Sequence, residues 1–408
     1  MLEAKRPPGR PDGEITRRDG PADSASAVRT SELLRSVLTP TAVIRLLLGW
    51  GAFLLLAAVR PLLAGPLPTW LLWLVLGGIV AVIVISAFGV VIEAEHLAHR
   101  LGDPYGTLVL TLSIAAIEVI LIAAVMLGPG EHATIARDSV MAVSMIILNL
   151  VIGVALLVGG SRHPRLRANR TGVSLYLGML IVLLSVAFAL PALIGADGAY
   201  TAPQAIMMIV LTVGLYVFFL VRQMGAQRAD FQEIADAGPT ASAVGITPPS
   251  LTAVLRRHRT ELIARSLLLI AMVLPIVLLS HDMATLLDDA LARAGAPVAL
   301  SGILIALIVF LPEAITTVRA AALGEMQRAS NLCHGALVST AGLTIPAVLT
   351  IGLLTGRPVL LAETPVDLLL LGLTLLLTLA TFSARRLTPL HGAVHLFVFA
   401  LYGVSVFS

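Results

Sequence analysis

Cysteine, charge and aromatic side chains are all scarce in this chain. Cys333 is the single cysteine among 408 residues, which excludes an intrachain disulfide. Charged residues make up 12% of the chain, whereas soluble domains carry roughly 25%. The net charge is only +3, so a nucleic-acid-binding surface is not indicated. With 58% hydrophobic residues and a mean hydropathy of +0.96, the composition predicts a polytopic membrane protein whose core is a helix bundle in lipid.

The beginning of the chain lacks apolar runs. Residues 1–40 are rich in proline, glycine, aspartate and arginine, so we predict that they form a disordered tail. The apolar run of a secretory signal peptide lies within roughly the first 15–30 residues, whereas the first run here begins near Thr41. We therefore expect the tail to be retained and cytoplasmic.

Beyond the tail, apolar stretches of membrane-spanning length, about 20 residues each, recur to the end of the chain. They fall roughly at 41–59, 69–92, 105–127, 138–160, 172–194, 203–222, 262–280, 298–322, 331–355, 364–383 and 388–407. The sequence thus predicts an all-α membrane protein with about eleven transmembrane helices.

Arginines are concentrated in every second loop. The tail and the segments 161–171 and 223–261 are basic, whereas loop 195–202 has no arginine and loop 281–296 is mainly acidic. Because cytoplasmic loops carry the excess of Lys and Arg, we predict a cytoplasmic N-terminus and an outside C-terminus. We expect the protein to reside in a bacterial inner membrane.

Two similar segments suggest an internal repeat. Glu95–Gly102 resembles Asp288–Gly295, and each precedes an apolar helix with one central glutamate. The predicted units are an extra transmembrane helix at 41–63, repeat 1 at 64–222, a cytoplasmic linker at 223–261 and repeat 2 at 262–408. Each repeat has an odd number of helices, so the two copies must be inverted relative to each other.

Glu118 and Glu313 are the central glutamates of these two helices. A carboxylate at membrane depth is costly and usually functional, although protonation or packing against a neighbouring helix is the alternative. Pro312, directly before Glu313, cannot donate a backbone hydrogen bond and could free carbonyl groups as ion ligands. An ordinary kink is the other explanation for Pro312.

Two converging carboxylates suit both a hard cation and protons. Calcium takes several oxygen ligands, and burial with mutual repulsion favours protonation of paired carboxylates. The site would be loaded either with two protons or with a cation, and the empty charged site would not cross the membrane readily. This pattern favours proton-coupled antiport at Glu118 and Glu313, the predicted cation ligands, over a channel.

Further polar residues could line the ion path. The candidates within apolar helices or near their ends are Ser113, Asn149, Asn331, Thr316, Ser339 and Thr344. Glu95 and Asp288 lie at helix ends, where each is either a proton relay on the access path or an interfacial carboxylate in water.

Five segments carry a resemblance to a known family. They are Glu93–Gly102, Ala116–Glu118, Leu311–Ala314, Gln327–Asn331 and Gly342–Pro346. From about residue 70 onward the chain resembles the calcium/cation–proton antiporter family (CAX-type), in its bacterial ChaA-like branch. The resemblance implies an all-helical inverted-repeat fold with cation–proton exchange at the two repeat glutamates.

The chain departs from the family pattern at two places. Many members have Gly-Asn four and three residues before each glutamate, where this chain has Ile114-Ala115 and Val309-Phe310. An expected amide ligand is missing twice, so a monovalent cation becomes more plausible.

We therefore expect a secondary antiporter that exchanges Ca²⁺, or alternatively Na⁺ or K⁺, for protons by alternating access. The expected partners are inorganic cations, protons and the lipid bilayer, with no nucleic acid, no cofactor and no catalytic residue. Two other classes are less well supported. A prenyltransferase-like intramembrane enzyme would need spaced aspartate motifs, whereas Asp288-Asp289 is a lone pair, and a channel would carry current without proton coupling.

Overall fold

The computed structural model describes most of the chain from residue 37 onward. The described ranges are 37–63, 65, 67–101, 133–233, 251–297 and 299–407, with positions 112, 115, 116, 119, 120, 122, 123 and 126. Side chains are not described at 62, 63, 98–100, 135, 251–258 and 299. The predicted tail up to residue 36, most of the predicted helix 105–127 and residues 234–250 of the linker therefore lie outside the described residues.

Regular structure in the described ranges is helical throughout, which confirms the predicted all-α membrane class. The helices are α1 (Pro40–Leu63), α2 (Thr69–Leu101), α3 (Ile135–Met145), α4 (Ile152–Arg162), α5 (Arg170–Leu184), α6 (Leu190–Ile194), α7 (Ala202–Met224), α8 (Leu251–Arg293), α9 (Ala299–Ala322), α10 (Met326–Thr355), α11 (Pro365–Ser383) and α12 (Pro389–Val406). In the same ranges, ten helical segments are long and apolar enough to cross a membrane.

Two of these spans contain a π-helical turn. Ile146–Val151 joins α3 to α4, and Ser185–Ala189 joins α5 to α6. Each turn inserts a residue into the α-helical pattern and so rotates the helix that follows.

Local sequence signals begin several helices. The Asn169 side chain accepts hydrogen bonds from the backbone N–H groups of Thr171 and Gly172 at the start of α5. Thr364 caps α11 in the same way through Asp367, and proline follows directly at the first position of that helix. These caps explain why the helices after short polar loops begin close to where the apolar runs predict.

The helix α8 differs from its prediction. It begins at Leu251, inside the predicted linker, and continues to Arg293, through most of the predicted loop 281–296. Parts of both added segments pack against protein: Glu261 is buried near the beginning of α8, and Met283, Leu287 and Ala290 are buried near its end.

The buried apolar side chains form two separate clusters. One is built almost entirely by α1, α2 and α8, and the other by α3 to α7 with α9 to α12. Trp50 of α1 donates a hydrogen bond to the Ala271 carbonyl of α8 at 3.0 Å, which helps to fasten the additional N-terminal helix to the first cluster. We call α1, α2 and α8 the three-helix group.

Contacts between loops divide the helix ends into two sets. At one end, the Asn169 backbone N–H donates to the Gln327 side chain at 2.7 Å, and the Leu387 N–H donates to the Leu166 carbonyl at 2.9 Å. We call this the basic end; it comprises residues 163–169, 231–233, 323–328 and 384–388.

The opposite end is held by different loops. The Leu360 backbone N–H donates to the Ala133 carbonyl at 2.9 Å, and that of Leu361 donates to the Gly198 carbonyl at 3.1 Å. The Arg293 guanidinium donates to the Leu67 carbonyl at 2.6 Å, so the end of α8 meets the start of α2. The helices α2 and α8 are therefore antiparallel neighbours.

Candidate functional site

Glu313 lies on α9, with its side chain between the two groups of helices. The helix continues through Pro312, and Glu313 is only 2% exposed. Its cavity measures about 30 Å³, enough for a water molecule or a small dehydrated cation. The lining residues are Ile83, Ala87, Val90 and Val91 of α2, Ile276 of α8, and Val309 and Pro312 of α9 itself.

The wall around Glu313 is apolar wherever the structure describes it. Water and polar side chains normally stabilise a carboxylate, whereas the side chains of α2 and α8 that line this cavity are apolar. A proton or a cation bound at Glu313 would neutralise its charge. The described lining therefore suits an ion or proton site.

Glu118 and Ser113 lie outside the described residues. The predicted convergence of Glu118 and Glu313 on one pocket thus stays a prediction.

Three predicted supporting residues form hydrogen bonds with other protein groups and do not line the cavity. The Asn149 amide, fully buried in the π-helical turn after α3, donates to the Thr374 hydroxyl at 2.8 Å. Ser339 of α10 accepts a hydrogen bond from the Tyr216 hydroxyl at 2.9 Å. The Thr316 hydroxyl donates to the Pro312 carbonyl at 3.0 Å and so occupies an oxygen near Glu313.

The other supporting candidates lie near helix ends. Asn331 donates to the Phe231 carbonyl at 2.6 Å and joins α10 to the turn after α7. Glu95 lies 3.9 Å from the Arg328 guanidinium in a partly exposed ion pair at the basic end. Asp288 is exposed on α8. The described structure does not bring these residues into the lining of the Glu313 cavity.

Thr344 and His334 are fully buried on α10. The Thr344 hydroxyl and the His334 Nε2 atom have no hydrogen-bond partner among the described residues. His334 Nδ1 lies 2.9 Å from the Ser330 hydroxyl, and its ring stacks on Tyr176. Sequence reasoning missed His334, although a histidine inside a long apolar run is a signal that could have found it.

The sequence analysis did not predict a buried ionic cluster between α2 and α8. Arg265 of α8 donates to Glu93 of α2 at 2.9 Å and to Glu261 at 3.3 Å, and the three residues are no more than 6% exposed. The position of Arg265 within the seventh apolar run could have indicated this cluster, because a buried arginine needs carboxylate partners. Among the described residues, three or more His, Cys, Asp or Glu side chains do not come together as a resident metal site.

Two carboxyl groups outside the membrane-spanning segments have shifted pKa values. Burial raises the pKa of Glu363 to about 7, an effect that nearby Arg137 partly offsets. Burial also raises the pKa of Glu233, while the backbone N–H groups of Arg328 and Gln327 counteract the shift. Both lie in loops at helix ends, so they can respond to the pH of the surrounding solution.

A bundle of long apolar helices with a glutamate buried at a small apolar cavity defines an integral membrane protein of the ion-transporter class. The family described as "Sodium/calcium exchanger protein" matches residues 70–225 and 265–407. The chain belongs to this family, and its substrates are therefore inorganic ions exchanged across a membrane.

Relatives with sequence similarity cover most of the chain. It is 30% identical over 387 residues to the sodium-potassium/proton antiporter ChaA of Escherichia coli, covering 95% of this chain and 100% of ChaA. It is 35% identical over 320 residues to y4hA of Sinorhizobium fredii, covering 78% of this chain and 84% of that protein.

Solved structures share the fold at lower identity. Native YfkE superposes with a TM-score of 0.65 at 18% identity, covering 89% of this chain and 99% of YfkE. The H⁺/Ca²⁺ exchanger CAX gives a TM-score of 0.62 at 14% identity, covering 90% and 89% of the two chains. At these identities the likeness concerns the fold alone.

Proposed function

We propose that this protein is a secondary antiporter that exchanges a monovalent cation, Na⁺ or K⁺, for protons at Glu313 and Glu118. The observation that carries the proposal is the buried Glu313 carboxyl group in an apolar cavity between α9 and the three-helix group. Such a carboxyl group binds a cation or a proton in alternation, because either one compensates its charge.

Coupling follows from the electrostatics of the pair. With both carboxylates ionised and no cation bound, the proposed site would hold two like charges, which repel each other strongly in a low dielectric. Loading with protons or with a cation removes that penalty. Alternating access that proceeds only with a loaded site exchanges one ion for the other.

The described helices support two inverted repeats. The first helices of the predicted repeats, α2 and α8, are antiparallel neighbours, as shown by the contact of Arg293 with Leu67. The two helices of each further pair start at different ends of the protein. In the first repeat, α3 and α7 start at the opposite end and α5 at the basic end. In the second repeat, their counterparts α10 and α12 start at the basic end and α11 at the opposite end. An eleventh crossing, through the segment that carries Glu118, would complete the pairing as the counterpart of α9.

The choice of a monovalent cation has three supports. Calcium takes six to eight oxygen ligands, whereas the described lining of the Glu313 cavity is apolar. The residues Val309-Phe310 replace a Gly-Asn pair that would supply an amide oxygen. ChaA, which is 30% identical to this chain, is named a sodium-potassium/proton antiporter. Calcium, the cation that the carboxylate pair first suggested, is the second candidate because two carboxylates suit a divalent ion.

Orientation and location are part of the proposal. The basic end contains the arginine-rich segments 163–169 and 384–388, and an excess of arginine marks the cytoplasmic side. We therefore place the basic end and the tail in the cytoplasm of a bacterium, the protein in the inner membrane, and the C-terminus outside.

The test is cation-driven proton flux in everted membrane vesicles, with Na⁺, K⁺ and Ca²⁺ added in turn to separate samples. Wild type should show flux with Na⁺ or K⁺, and Glu313→Gln should abolish it while the protein still folds and inserts. Glu325→Gln is the matched control, because Glu325 is a partly exposed glutamate at the basic end.

Three results would contradict parts of the proposal. Flux retained by Glu313→Gln would remove Glu313 from the exchange site. Flux with Ca²⁺ alone would replace the monovalent cation with calcium. Current that follows only the cation gradient, without proton movement, would identify a channel.

A further inference from the structure

A second cavity lies at the basic end, away from Glu313. It measures about 450 Å³ and opens between the start of α5 and the connection from α11 to α12. The lining residues are Arg167, Ala168, Asn169, Arg170, Thr171, Phe382, Ala384, Arg385 and Leu387. The two chain segments are held together by the hydrogen bond from the Leu387 N–H to the Leu166 carbonyl. The cavity is thus a built feature of the fold.

All charged side chains in the described lining of this cavity are arginines. Arg167, Arg170 and Arg385 all line it, and none of its described lining residues is acidic. Elsewhere in the described chain, arginines such as Arg137, Arg265 and Arg293 pair with carboxylates. The three cavity arginines make no ion pair with a described residue, and their side chains are exposed. Three guanidinium groups around one hollow favour an anion with several oxygens.

The position of the cavity indicates where that anion comes from. It lies at the ends of α5, α11 and α12, which belong to apolar spans of membrane-crossing length. The ends of such spans meet the headgroup region of a bilayer. Phe382 and Leu387 add apolar surface to the arginine wall. A phosphate attached to acyl chains would satisfy both surfaces, whereas free phosphate would use only the arginines.

We propose that this cavity binds the phosphate group of an anionic phospholipid through Arg167, Arg170 and Arg385. The Thr171 hydroxyl adds a further polar group to the same cavity, beside the start of α5. The cavity is separate from that of Glu313, since the two have no described lining residue in common.

The experiment uses the full chain purified in detergent, with lipid retention measured by native mass spectrometry. Phosphatidylglycerol, cardiolipin and phosphatidylcholine are the lipid probes, and inorganic phosphate is the soluble probe. We expect the anionic lipids to bind more tightly than phosphatidylcholine. The double variant Arg167→Gln/Arg385→Gln should bind them about 30-fold more weakly, because it removes two of the three charges.

The matched control is Arg165→Gln/Arg386→Gln. It removes two exposed arginines from the same loops that do not line the cavity, and it should bind anionic lipid like wild type. If the first double variant does not fold, Arg385→Gln alone should weaken binding about 5-fold.

Three outcomes would overturn the proposal. The first is equal retention of phosphatidylcholine and anionic lipids by wild type. The second is an equal loss of binding in the test and control variants, which would show that only net charge matters. The third is inorganic phosphate that displaces the lipid at an equal concentration, which would make this a site for the free anion.

Discussion

Arg265 of α8 donates a hydrogen bond to Glu93 of α2 at 2.9 Å, across the interface of the two antiparallel helices. Both side chains are buried, and Glu261 provides a second carboxylate at 3.3 Å. Desolvation is costly for every charged group in such a cluster, so a buried ion pair adds little to the net stability of the protein. Removing one of its members is nevertheless strongly destabilising, because the remaining charge stays buried. The contact fixes the register of the two helices.

The first prediction follows from this contact. Arg265→Met should destabilise the protein by about 3–5 kcal/mol, because it leaves two buried carboxylates without the guanidinium between them. The loss of stability is measured by heating the protein in detergent and using size-exclusion chromatography to determine how much remains folded at each temperature. Arg60→Gln is the control: its ion pair with Asp282 is 51% exposed on the arginine side, so the expected change is at most about 1 kcal/mol. Equal melting temperatures for both variants would show that the buried cluster is not required.

The second prediction concerns the close approach of α4 and α12. A methyl group at Gly392 would lie 2.5 Å from the Gly153 carbonyl oxygen and 2.8 Å from the Leu157 nitrogen, both of them backbone atoms that cannot rotate away. Gly392→Ala should therefore destabilise the protein by about 1–3 kcal/mol through overpacking.

Gly403 on the same helix provides the control. A methyl group there meets no atom within 4 Å, so Gly403→Ala should be neutral or slightly stabilising. The melting temperatures of the two variants in one detergent make the comparison. A Gly392→Ala protein as stable as Gly403→Ala would show that the two helices can separate at little cost.

The third prediction is a pH dependence at Glu363. Burial raises its pKa from 4.5 to about 7, so the folded protein keeps a proton that the unfolded chain releases. The resulting stabilisation is fully present below about pH 4.5 and is lost as the pH rises to about 7.

Glu363→Gln stays neutral at every pH and should remove this dependence. Its stability relative to wild type should increase by roughly 3 kcal/mol between pH 4.5 and pH 7 and then level off. Melting curves across that pH range test this prediction. Gly403→Ala is the control, because its difference in stability from wild type should not change with pH. A constant difference between Glu363→Gln and wild type would contradict the raised pKa.

The sequence predicted most helices closely, because their apolar runs end at polar caps. The run 203–222 became Ala202–Met224, and the run 172–194 became the span Arg170–Ile194. The prediction failed where polar residues continue a helix inside the protein. The run 262–280 became part of Leu251–Arg293, since Arg265 and its carboxylate partners are satisfied by each other and need no loop.

The burial of Glu313 was predictable from the sequence, whereas its role in ion exchange stays a prediction. Glu313 was identified from hydropathy alone, because an isolated carboxylate in an apolar run is conspicuous, and the structure places it in a buried cavity. The roles of Asn149 and Asn331 could not be read from the sequence. Their partners, Thr374 and the Phe231 carbonyl, are remote in the chain and become neighbours only when the helices pack.

The π-helical turn Ile146–Val151 has a consequence for comparing relatives. It adds one residue between α3 and α4, so the positions before and after it belong to two different helical phases. In a homologue whose corresponding helix is regular, an ungapped alignment would match the wrong side chains on one side of Asn149. Placing a one-residue gap inside the turn would restore equivalent faces on both sides.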